Sequence, residues 1–255
     1  MLAHQQHQNV SELASLNWPL IKKLNFSQQL DHKEIVSLRK LHEQTLVIEK
    51  HQDFLSQNNI RNQFIVINQG WACRYSTLSN GNRQLINFYL PGDIINPYTI
   101  AATNGTHSVF SITSLYISPF DQEALQQLLT LSPKLDSLYK QMICAEEAML
   151  AEHVVRVGRR SAYQRTIHLL LELYQRLDII GHTQQNTFNL PLTQELLADM
   201  LGMSIVHMNR TLHRLRDEDL IETQSNKISL LDIHKLEQLA EYQGILLDTK
   251  LAAQG

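Results

Sequence analysis

Residues 191–222, PLTQELLADMLGMSIVHMNRTLHRLRDEDLIE, carry the pattern of two short helices joined by a tight turn. Thr193 is a helix-capping residue, and apolar side chains follow it at helical spacing. Gly202 lacks Cβ and takes positive φ at little cost, which suits the turn between the helices. Ser204 then provides the cap of a second helix. The segment therefore predicts a helix-turn-helix unit.

The second helix of this unit has two distinct faces. Its predicted buried face consists of Met208, Thr211, Leu212 and Leu215. Its opposite face carries Ile205, Val206, Asn209, Arg210 and His213. A helix with this polar and apolar mixture on its free side is suited to lie in a DNA groove. The alternative is a packed helical domain that binds no nucleic acid, because short motifs also occur by chance.

A β-hairpin is predicted directly after the second helix. Residues 220–222 and 228–231 are rich in β-branched and aliphatic side chains, and the polar residues 225–227 separate them. A hairpin in this place converts a helix-turn-helix into a winged helix-turn-helix. This second signal favours DNA binding over an inert helical domain.

Length and composition limit the class of protein. The chain of 255 residues is long enough for two modest domains. It contains no run that approaches the roughly 18 apolar residues of a membrane span. Its N-terminus lacks the basic and apolar blocks of a signal peptide, and Cys73 and Cys144 lie too far apart to suggest a disulfide framework. We therefore expect a cytoplasmic protein without contact to a membrane.

The net charge of −3 is unevenly distributed along the chain. Eight arginines fall between residues 156 and 216, namely Arg156, Arg159, Arg160, Arg165, Arg176, Arg210, Arg214 and Arg216. The same segment contains four acidic residues, Glu172, Asp178, Glu195 and Asp199. Contact with phosphates requires only a local basic surface, so the acidic total does not argue against DNA.

The first half of the chain predicts a small β domain. After an N-terminal extension (1–27) and a helix (28–41), short strands are expected at 45–49, 63–68, 72–78, 83–90, 108–113 and 115–120. Several short strands separated by polar turns are typical of an antiparallel roll or barrel. A helix at 121–131 completes a predicted β-roll domain that spans residues 28–132.

A long helix is predicted at 133–157 after Pro133, and it carries two apolar stripes. One stripe has coiled-coil spacing and consists of Leu135, Leu138, Met142, Ala145 and Met149. The other consists of Tyr139, Ile143, Leu150, Val154 and Val157. We expect one stripe to lie on the roll and the other to meet a partner helix, and we assign the first stripe to the dimer interface. The alternative is that both stripes are buried in a single hydrophobic core.

The C-terminal part predicts the second domain, residues 158–246. Gly158 interrupts the helical pattern and is a candidate hinge, and Ser161 with Gln164 forms a capping-box pattern at the start of the next helix. A last helix is expected from 232 to about 242, followed by a tail (247–255). The predicted fold class is α+β: an antiparallel β-roll, a long dimerisation helix and a winged helix-turn-helix.

This order of elements resembles the Crp/Fnr-type transcription regulators. The resemblance covers about residues 28–242. It is carried by Gly70-Trp71, Asn80-Gly81, the LPGD sequence at 90–93, VGRRSAYQRTIHLLLELYQRL at 157–177, and the helix-turn-helix residues. It implies a homodimer that binds a near-palindromic operator and recruits or blocks RNA polymerase. It also implies an effector that is sensed in the roll.

The residues of the effector pocket depart from the cyclic-nucleotide pattern of the family. The family's Gly-Glu pair corresponds to Asn96 and Pro97, and its Arg-Ser-Ala sequence corresponds to His107, Ser108 and Val109. Without a guanidinium fork, a buried phosphate loses its strongest contact, and no arginine lies between positions 83 and 156. We therefore expect an effector other than a cyclic nucleotide, with Asn96, Pro97, His107 and Ser108 as weak candidates for its pocket. The alternative is that there is no effector and that the expression level sets the activity.

The cysteines and histidines limit the cofactors that this chain can hold. An iron–sulfur cluster needs about four thiolates, and this chain has two cysteines. Haem needs only one or two histidines and stays open, with His51, His107 and His153 as candidate ligands, although packed or solvated histidines are favoured. We predict no cofactor and no metal. A redox role for the two cysteines is an alternative, but a small buried hydrophobe is the favoured role.

The resemblance also assigns the DNA contacts. Base contacts in the family come mainly from the first turn of the second helix and from an arginine near its middle, here Arg210. The full predicted set is Thr193, Gln194, Ser204, Ile205, Val206, His207, Asn209, Arg210 and His213. Many members carry a charged residue, commonly Glu, where this chain has Val206, so we expect a different operator preference. The alternatives are packing of Ile205 and Val206 on the wing and a salt bridge at Arg210.

The sequence also bears on two other functional classes. An enzyme is not predicted, because the sequence contains neither paired carboxylates nor a histidine cluster nor a nucleophile–base spacing. A dimeric scaffold that binds a protein and no DNA is the remaining alternative.

Overall fold

The computed structural model describes residues 17–55, 62–103 and 106–244. It begins with the helices α1 (Pro19–Ser27) and α2 (His32–Arg39) and a 3₁₀ turn, Lys40–His42. Asp31 accepts a hydrogen bond from the backbone N–H of Glu34, whose side chain bonds back to Asp31 in a capping box. The predicted boundary at residue 28 is wrong, because Leu20, Ile21 and Leu24 of α1 are buried in the core of the first domain. Residues 1–16 lie outside the described residues.

The first domain is a roll of two antiparallel sheets. Its strands are β1 (Leu46–Ile48), β2 (Phe64–Gln69), β3 (Ala72–Thr77), β4 (Arg83–Tyr89), β5 (Ile94–Ile95), β6 (His107–Ser111) and β7 (Leu115–Phe120). One sheet has the order β1-β7-β2-β5, and the other has the order β4-β3-β6. The predicted roll is confirmed, while the two-residue strand β5 and the short helix α3 (Pro97–Ala101) were missed.

The turn between β2 and β3 requires glycine. Gly70 has φ +93°, and a Cβ at this position would lie 2.3 Å from the carbonyl oxygen of Ser114. Trp71 follows and receives a hydrogen bond at its carbonyl from the N–H of Ile112. The Gly-Trp pair therefore marks the point where the chain passes from one sheet to the other.

The two faces of the sheet β4-β3-β6 have different neighbours. One face encloses the inside of the roll with Ala72, Tyr89 and Val109. The other face contributes Cys73 and Phe88 to a second apolar cluster, which is shared with the C-terminal domain. The roll and the C-terminal domain therefore have a continuous core between them.

Two further helices lead out of the roll, α4 (Gln122–Leu131) and α5 (Pro133–Arg159). The predicted assignment of the α5 stripes is wrong. Leu135 and Leu138 are buried against α1 and the roll, and Met142 packs on the same cluster. Ala145 and Met149 line a cavity on the same side of the helix. The predicted dimer stripe thus faces its own chain.

The solvent side of α5 carries small and β-branched residues. Cys144, Ala148, Ala151 and Val155 are exposed, with spacings of four, three and four residues. Val154 and Val155 are 67% and 44% exposed, although both are large apolar side chains. We call Cys144, Ala148, Ala151 and Val155 the α5 seam.

Gly158 is not a hinge in this structure, because α5 continues through it to Arg159. The chain leaves the helix at Arg160, which is extended (φ −79°, ψ 149°). Ser161 and Gln164 then form the predicted capping box. The break between the two domains therefore lies two residues later than the glycine suggested.

The C-terminal domain is a winged helix-turn-helix. Its elements are α6 (Ala162–Ile179), β8 (Thr183–Gln184), β9 (Thr187–Asn189), α7 (Gln194–Leu201), α8 (Ile205–Asp217), β10 (Ile221–Gln224), β11 (Lys227–Leu230) and α9 (Ile233–Ala240). The strands form one sheet in the order β10-β11-β9-β8. The β8–β9 hairpin was not predicted, and the predicted tail 247–255 lies outside the described residues. Among the described helices, none is long and apolar enough to cross a membrane.

Candidate nucleic-acid interface

The helix-turn-helix is fixed by the caps that the sequence predicts. The hydroxyl of Thr193 accepts a hydrogen bond from the N–H of Leu196, and that of Ser204 accepts one from the N–H of His207. Gly202 ends α7 in the left-handed conformation, with φ 61°. These local contacts set the angle at which α8 follows α7.

The second helix divides into a buried and a free face. Met208, Thr211, Leu212 and Leu215 are buried, as the sequence predicts. The free face is exposed at Ile205, Val206, His207, Arg210 and His213, and Asn209 is partly exposed. Thr193, Gln194 and Ser204 are exposed at the starts of the two helices. All nine predicted contact residues are therefore at least partly exposed, and we call the free face of α8 the α8 surface.

The two alternative roles weighed for this surface are not realised. Ile205 and Val206 are 46% and 61% exposed, so neither is packed on the wing. Among the described residues, no carboxylate lies within ion-pair distance of Arg210. Both the apolar pair and the guanidinium are available to a ligand.

Two neighbouring arginines are held by their own chain. The guanidinium of Arg214 lies 4.2 Å from the ring centroid of Tyr163 and donates to Glu218 at 2.7 Å. Arg216 donates to the hydroxyl of Thr223 in the wing at 3.2 Å. These contacts tie α8 to α6 and to β10, and they leave Arg210 as the arginine on the centre of the α8 surface.

The predicted basic face is smaller than the arginine count suggested. Arg156 is fully buried and Arg176 is 7% exposed, so neither can reach a phosphate. Arg160 pairs with Glu152, and Arg165 donates to the carbonyl oxygens of Arg160 and Leu201. The sequence argument from eight arginines is therefore corrected: several of them hold the domains together.

The buried arginines belong to a chain of ion pairs between the domains. Arg176 on α6 donates to Asp93 in the roll at 2.6 Å and to Glu172 at 3.3 Å. Glu172 also pairs with Arg156 at the end of α5, and Lys23 of α1 bonds to Asp93 at 2.6 Å. We call Asp93, Arg176, Glu172 and Arg156 the interdomain ion chain.

The charges of the residues in the interdomain ion chain depend on one another. Burial opposes ionisation of Glu172, but Arg156 and Arg176 outweigh it and hold the pKa of its carboxyl below the ordinary value. Burial and the charges of Arg156 and Arg160 lower the pKa of the neighbouring His168 to about 3. A neutral His168 is consistent with its Nδ1 accepting a hydrogen bond from Arg156.

A second set of contacts joins the roll directly to α7. Arg83 at the start of β4 pairs with Asp199 at 3.3 Å. The side-chain amide of Gln84 donates to the backbone carbonyl of Asp199 at 3.0 Å. The β3–β4 hairpin thus touches the first helix of the helix-turn-helix.

The four residues proposed for an effector pocket have different surroundings. Asn96 lines a cavity between the roll and α5 and also caps α3. Pro97 is buried at the start of α3, and the buried Nδ1 of His107 has no hydrogen-bond partner among the residues that the structure describes. Ser108 pairs with Tyr75, on the face of the sheet that points away from the inside of the roll. Ser108 is therefore not a pocket residue.

Sequence reasoning missed Arg74 on β3. Arg74 is only 4% exposed, and its Nε and Nη1 atoms have no hydrogen-bond partner among the described residues. Arg74 precedes the segment between Arg83 and Arg156 in which the family's arginine would be expected. The signal that could have found it is an arginine at an inward-facing position of a predicted strand.

The candidate cofactor residues are not brought together. His51 stacks on Phe110 of β6, with ring centroids 6.0 Å apart, and His107 is the first residue of β6. His153 lies buried on α5, and its pKa is lowered to about 4, mainly by burial. Burial also raises the pKa of the Cys73 thiol to about 12, which disfavours the reactive thiolate. Cys144 is exposed within the α5 seam.

Family models match both halves of the chain. The model of the cyclic nucleotide-binding domain matches residues 45–131, and the model of the Crp-like helix-turn-helix domain matches residues 164–239. These two segments coincide with the roll and with the winged helix-turn-helix.

Relatives with both halves are also found. The chain is 28% identical to the nitrogen fixation regulation protein FixK of Bradyrhizobium diazoefficiens over 187 residues, which are 72% of this chain and 77% of that protein. It is 22% identical to the anaerobic regulatory protein of Haemophilus influenzae over 219 residues, which are 86% and 85% of the two chains.

The fold is shared with a solved structure. FixK2 from Bradyrhizobium japonicum superposes with a TM-score of 0.64 at 20% identity, over 77% of this chain and 96% of that one. The order of the roll, the long helix and the winged helix-turn-helix agrees with these matches. The chain belongs to the Crp/Fnr family and is a DNA-binding transcription regulator of that type.

Proposed function

We propose that the protein acts in the cytoplasm as a homodimer that binds a near-palindromic operator, with one α8 in the major groove of each half-site. The observation that carries this proposal is the α8 surface, a capped helix face whose central arginine has no protein partner among the described residues. A two-fold dimer presents two such helices, so operator symmetry would follow protein symmetry.

Readout within a half-site follows from the side chains on the α8 surface. Arg210 can donate in bidentate fashion to O6 and N7 of guanine, and Val206 or Ile205 can contact a thymine methyl group. Thr193, Gln194 and Ser204 are placed to bind phosphates with hydroxyl, amide and helix N-terminal N–H groups. Asn209 and His213 lie on the same side and would reach bases or backbone.

The dimer would form through the α5 seam in place of the stripe named by the sequence analysis. The seam has coiled-coil spacing, and its small side chains allow two helices to approach closely. RNA polymerase is the further partner that we propose, recruited or blocked by the bound dimer, since the family consists of transcription regulators.

Selection of bound sequences from a random DNA pool tests the proposal. We expect enrichment of an inverted repeat whose half-sites are centred about 34–36 Å or a multiple of it apart. Enrichment without symmetry would contradict the dimeric reading. Retention of no sequence above background would instead support the scaffold that binds a protein partner.

Replacement of Arg210 tests the readout. We expect Arg210→Ala to lower the affinity for the selected operator by about 1–3 kcal/mol and to relax the preference at one symmetric base pair. The affinity for random DNA should change little at the same salt concentration, which a fluorescence anisotropy titration measures. Arg214→Ala is the matched control, because Glu218 and Tyr163 already hold its guanidinium. An equal loss of affinity for operator and random DNA in Arg210→Ala would show a phosphate contact only.

A further inference from the structure

Two exposed apolar side chains lie next to each other at the start of α8. Ile205 and Val206 are the first two residues of the helix, and they are 46% and 61% exposed. Among the described residues of the C-terminal domain, the other large apolar side chain that is exposed is Leu231. A single exposed apolar residue is ordinary, whereas two adjacent ones on a binding face indicate an apolar group in the ligand.

Val206 is the member of this pair that lies beside Arg210. The two residues are four positions apart, so their Cβ atoms lie about 5–6 Å from each other along one side of the helix. The residues three and four positions after Ile205 are the fully buried Met208 and the partly exposed Asn209. Val206 is also more exposed than Ile205. It is therefore the apolar neighbour of the guanidinium on the α8 surface.

The local structure holds Val206 in a fixed orientation. Ser204 caps the helix directly before it, with its hydroxyl 3.2 Å from the N–H of His207. A valine within a helix has one strongly preferred χ1 rotamer, because its Cβ is branched. The two methyl groups of Val206 therefore keep one direction relative to the helix, and little conformational entropy is lost when they contact a ligand.

The chemistry of the major groove limits what Val206 can recognise. Base edges present hydrogen-bond donors and acceptors there, and the C5 methyl group of thymine is their apolar feature. Against a polar base edge, a valine displaces water without replacing its hydrogen bonds, which is unfavourable. Against a methyl group, both apolar surfaces are removed from water, which is favourable. Val206 is thus suited to a pyrimidine with a methyl group at C5.

Thymine is one of two bases that carry this group, since 5-methylcytosine has its methyl at the same ring position. The two bases differ at C4, where thymine has an oxygen acceptor and cytosine has an amino donor. A valine forms a hydrogen bond with neither. Successive base pairs are about 3.4 Å apart, so the spacing of Val206 and Arg210 corresponds to one or two base steps.

We propose that Val206 recognises the C5 methyl group of a pyrimidine one or two base pairs from the guanine that Arg210 binds, so that methylation of cytosine strengthens binding of this regulator to DNA. The inference rests on the proposed function, which places α8 in the major groove. It adds that thymine and 5-methylcytosine are equivalent at one symmetric operator position. A chemical modification of the DNA then changes the affinity without a change in base sequence.

The test is selection of bound sequences from three random duplex pools. One pool contains the ordinary bases, the second contains uracil in place of thymine, and the third contains 5-methylcytosine in place of cytosine. From the first pool we expect a preference for thymine near the guanine that Arg210→Ala identifies. The uracil pool should lose this preference and keep the guanine. The third pool should accept thymine or 5-methylcytosine at this position.

Titration of the selected operator measures the size of the effect. Replacement of the one thymine by uracil should lower the affinity about fourfold per half-site, and methylation of cytosine at this position should raise it by about the same factor. These factors correspond to about 0.8 kcal/mol for one buried methyl group, with 1.4 kcal/mol for a tenfold change. Val206→Ala should bring both ratios close to one, whereas the matched control Ile205→Ala should keep them. Alanine favours helices, so both variants should fold.

The possible results separate this inference from the proposed function. Unchanged ratios in Val206→Ala, or ratios that collapse in Ile205→Ala alone, would overturn the role of Val206. An operator selected from all three pools with the same preferences would also overturn it and leave the proposed function standing. Retention of no sequence from any pool would refute both.

Discussion

Glu172→Ala is expected to lower the unfolding midpoint by about 6–20 °C, which corresponds to a loss of about 3–5 kcal/mol when one partner of a buried ion pair is removed. Glu172 lies between Arg156 and Arg176, and its side chain is 4% exposed. Without it, the fully buried Arg156 has lost its counter-charge at the junction of α5 and α6. Circular dichroism at fixed protein concentration measures the midpoint, since a dimer's stability depends on concentration.

Glu152→Ala is the matched control for this prediction. Glu152 pairs with Arg160 at 3.1 Å, but its side chain is 45% exposed, so we expect a loss of less than about 1 kcal/mol. A loss in Glu172→Ala as small as that of the control would contradict the assignment of the ion chain as the main polar connection between the domains.

The same carboxyl predicts a dependence on acid pH. The pKa of Glu172 is lower in the folded protein than in the unfolded chain, as is that of Asp93. Their stabilisation is complete above the unfolded value of about 4 and is lost as the pH falls through the folded value. We therefore expect the unfolding temperature of the wild type to decrease as the pH is lowered below about 4. In Glu172→Ala the fall should be shallower.

The parts of the structure that the sequence predicted correctly depend on local signals. Thr193 and Ser204 cap their helices because a hydroxyl in front of an apolar helical pattern has an N–H three residues away as its nearest donor. Gly202 has the predicted left-handed conformation for an equally local reason. The helix-turn-helix could therefore be read almost residue by residue.

The parts that were wrong depend on contacts distant in sequence. Both stripes of α5 have helical spacing, and periodicity alone does not reveal which of them the roll covers. Leu138 is buried in an apolar cluster that also contains residues of α1, more than 100 residues earlier in the chain. Arg176 pairs with Asp93, 83 residues away, and so leaves the basic surface to which the charge count had assigned it.

The buried position of Arg74 was missed for a related reason. The cyclic-nucleotide pattern directed attention to positions 96–97 and 107–109, where the chain lacks the expected side chains. Arg74 lies instead on β3, where its cross-strand neighbour is Asn87 of β4, and its side chain is buried. The sequence alone predicts that an arginine in a strand is exposed. Only the arrangement of the two sheets shows that Arg74 lies on an enclosed face.

Ala151→Glu is expected to convert the proposed dimer to a monomer and to weaken operator binding about 100-fold or more. Ala151 is exposed at the middle of the α5 seam, between Ala148 and Val155. In a two-fold interface each residue near the axis meets its own copy, so one substitution places two carboxylates against each other in the space of two methyl groups. A monomer binds one half-site and loses the effective concentration that joins the second.

Analytical ultracentrifugation measures the change in mass, and anisotropy titration measures the affinity for the selected operator. Leu138→Ala separates the two faces of α5, because Leu138 is 1% exposed within the core of its own chain. It should cost about 2–5 kcal/mol of stability and leave the protein dimeric. Ala151→Glu should do the reverse, with unchanged secondary structure and a lost dimer. A dimer that survives Ala151→Glu but dissociates in a folded Leu138→Ala protein would return the interface to the stripe of Leu135 and Leu138.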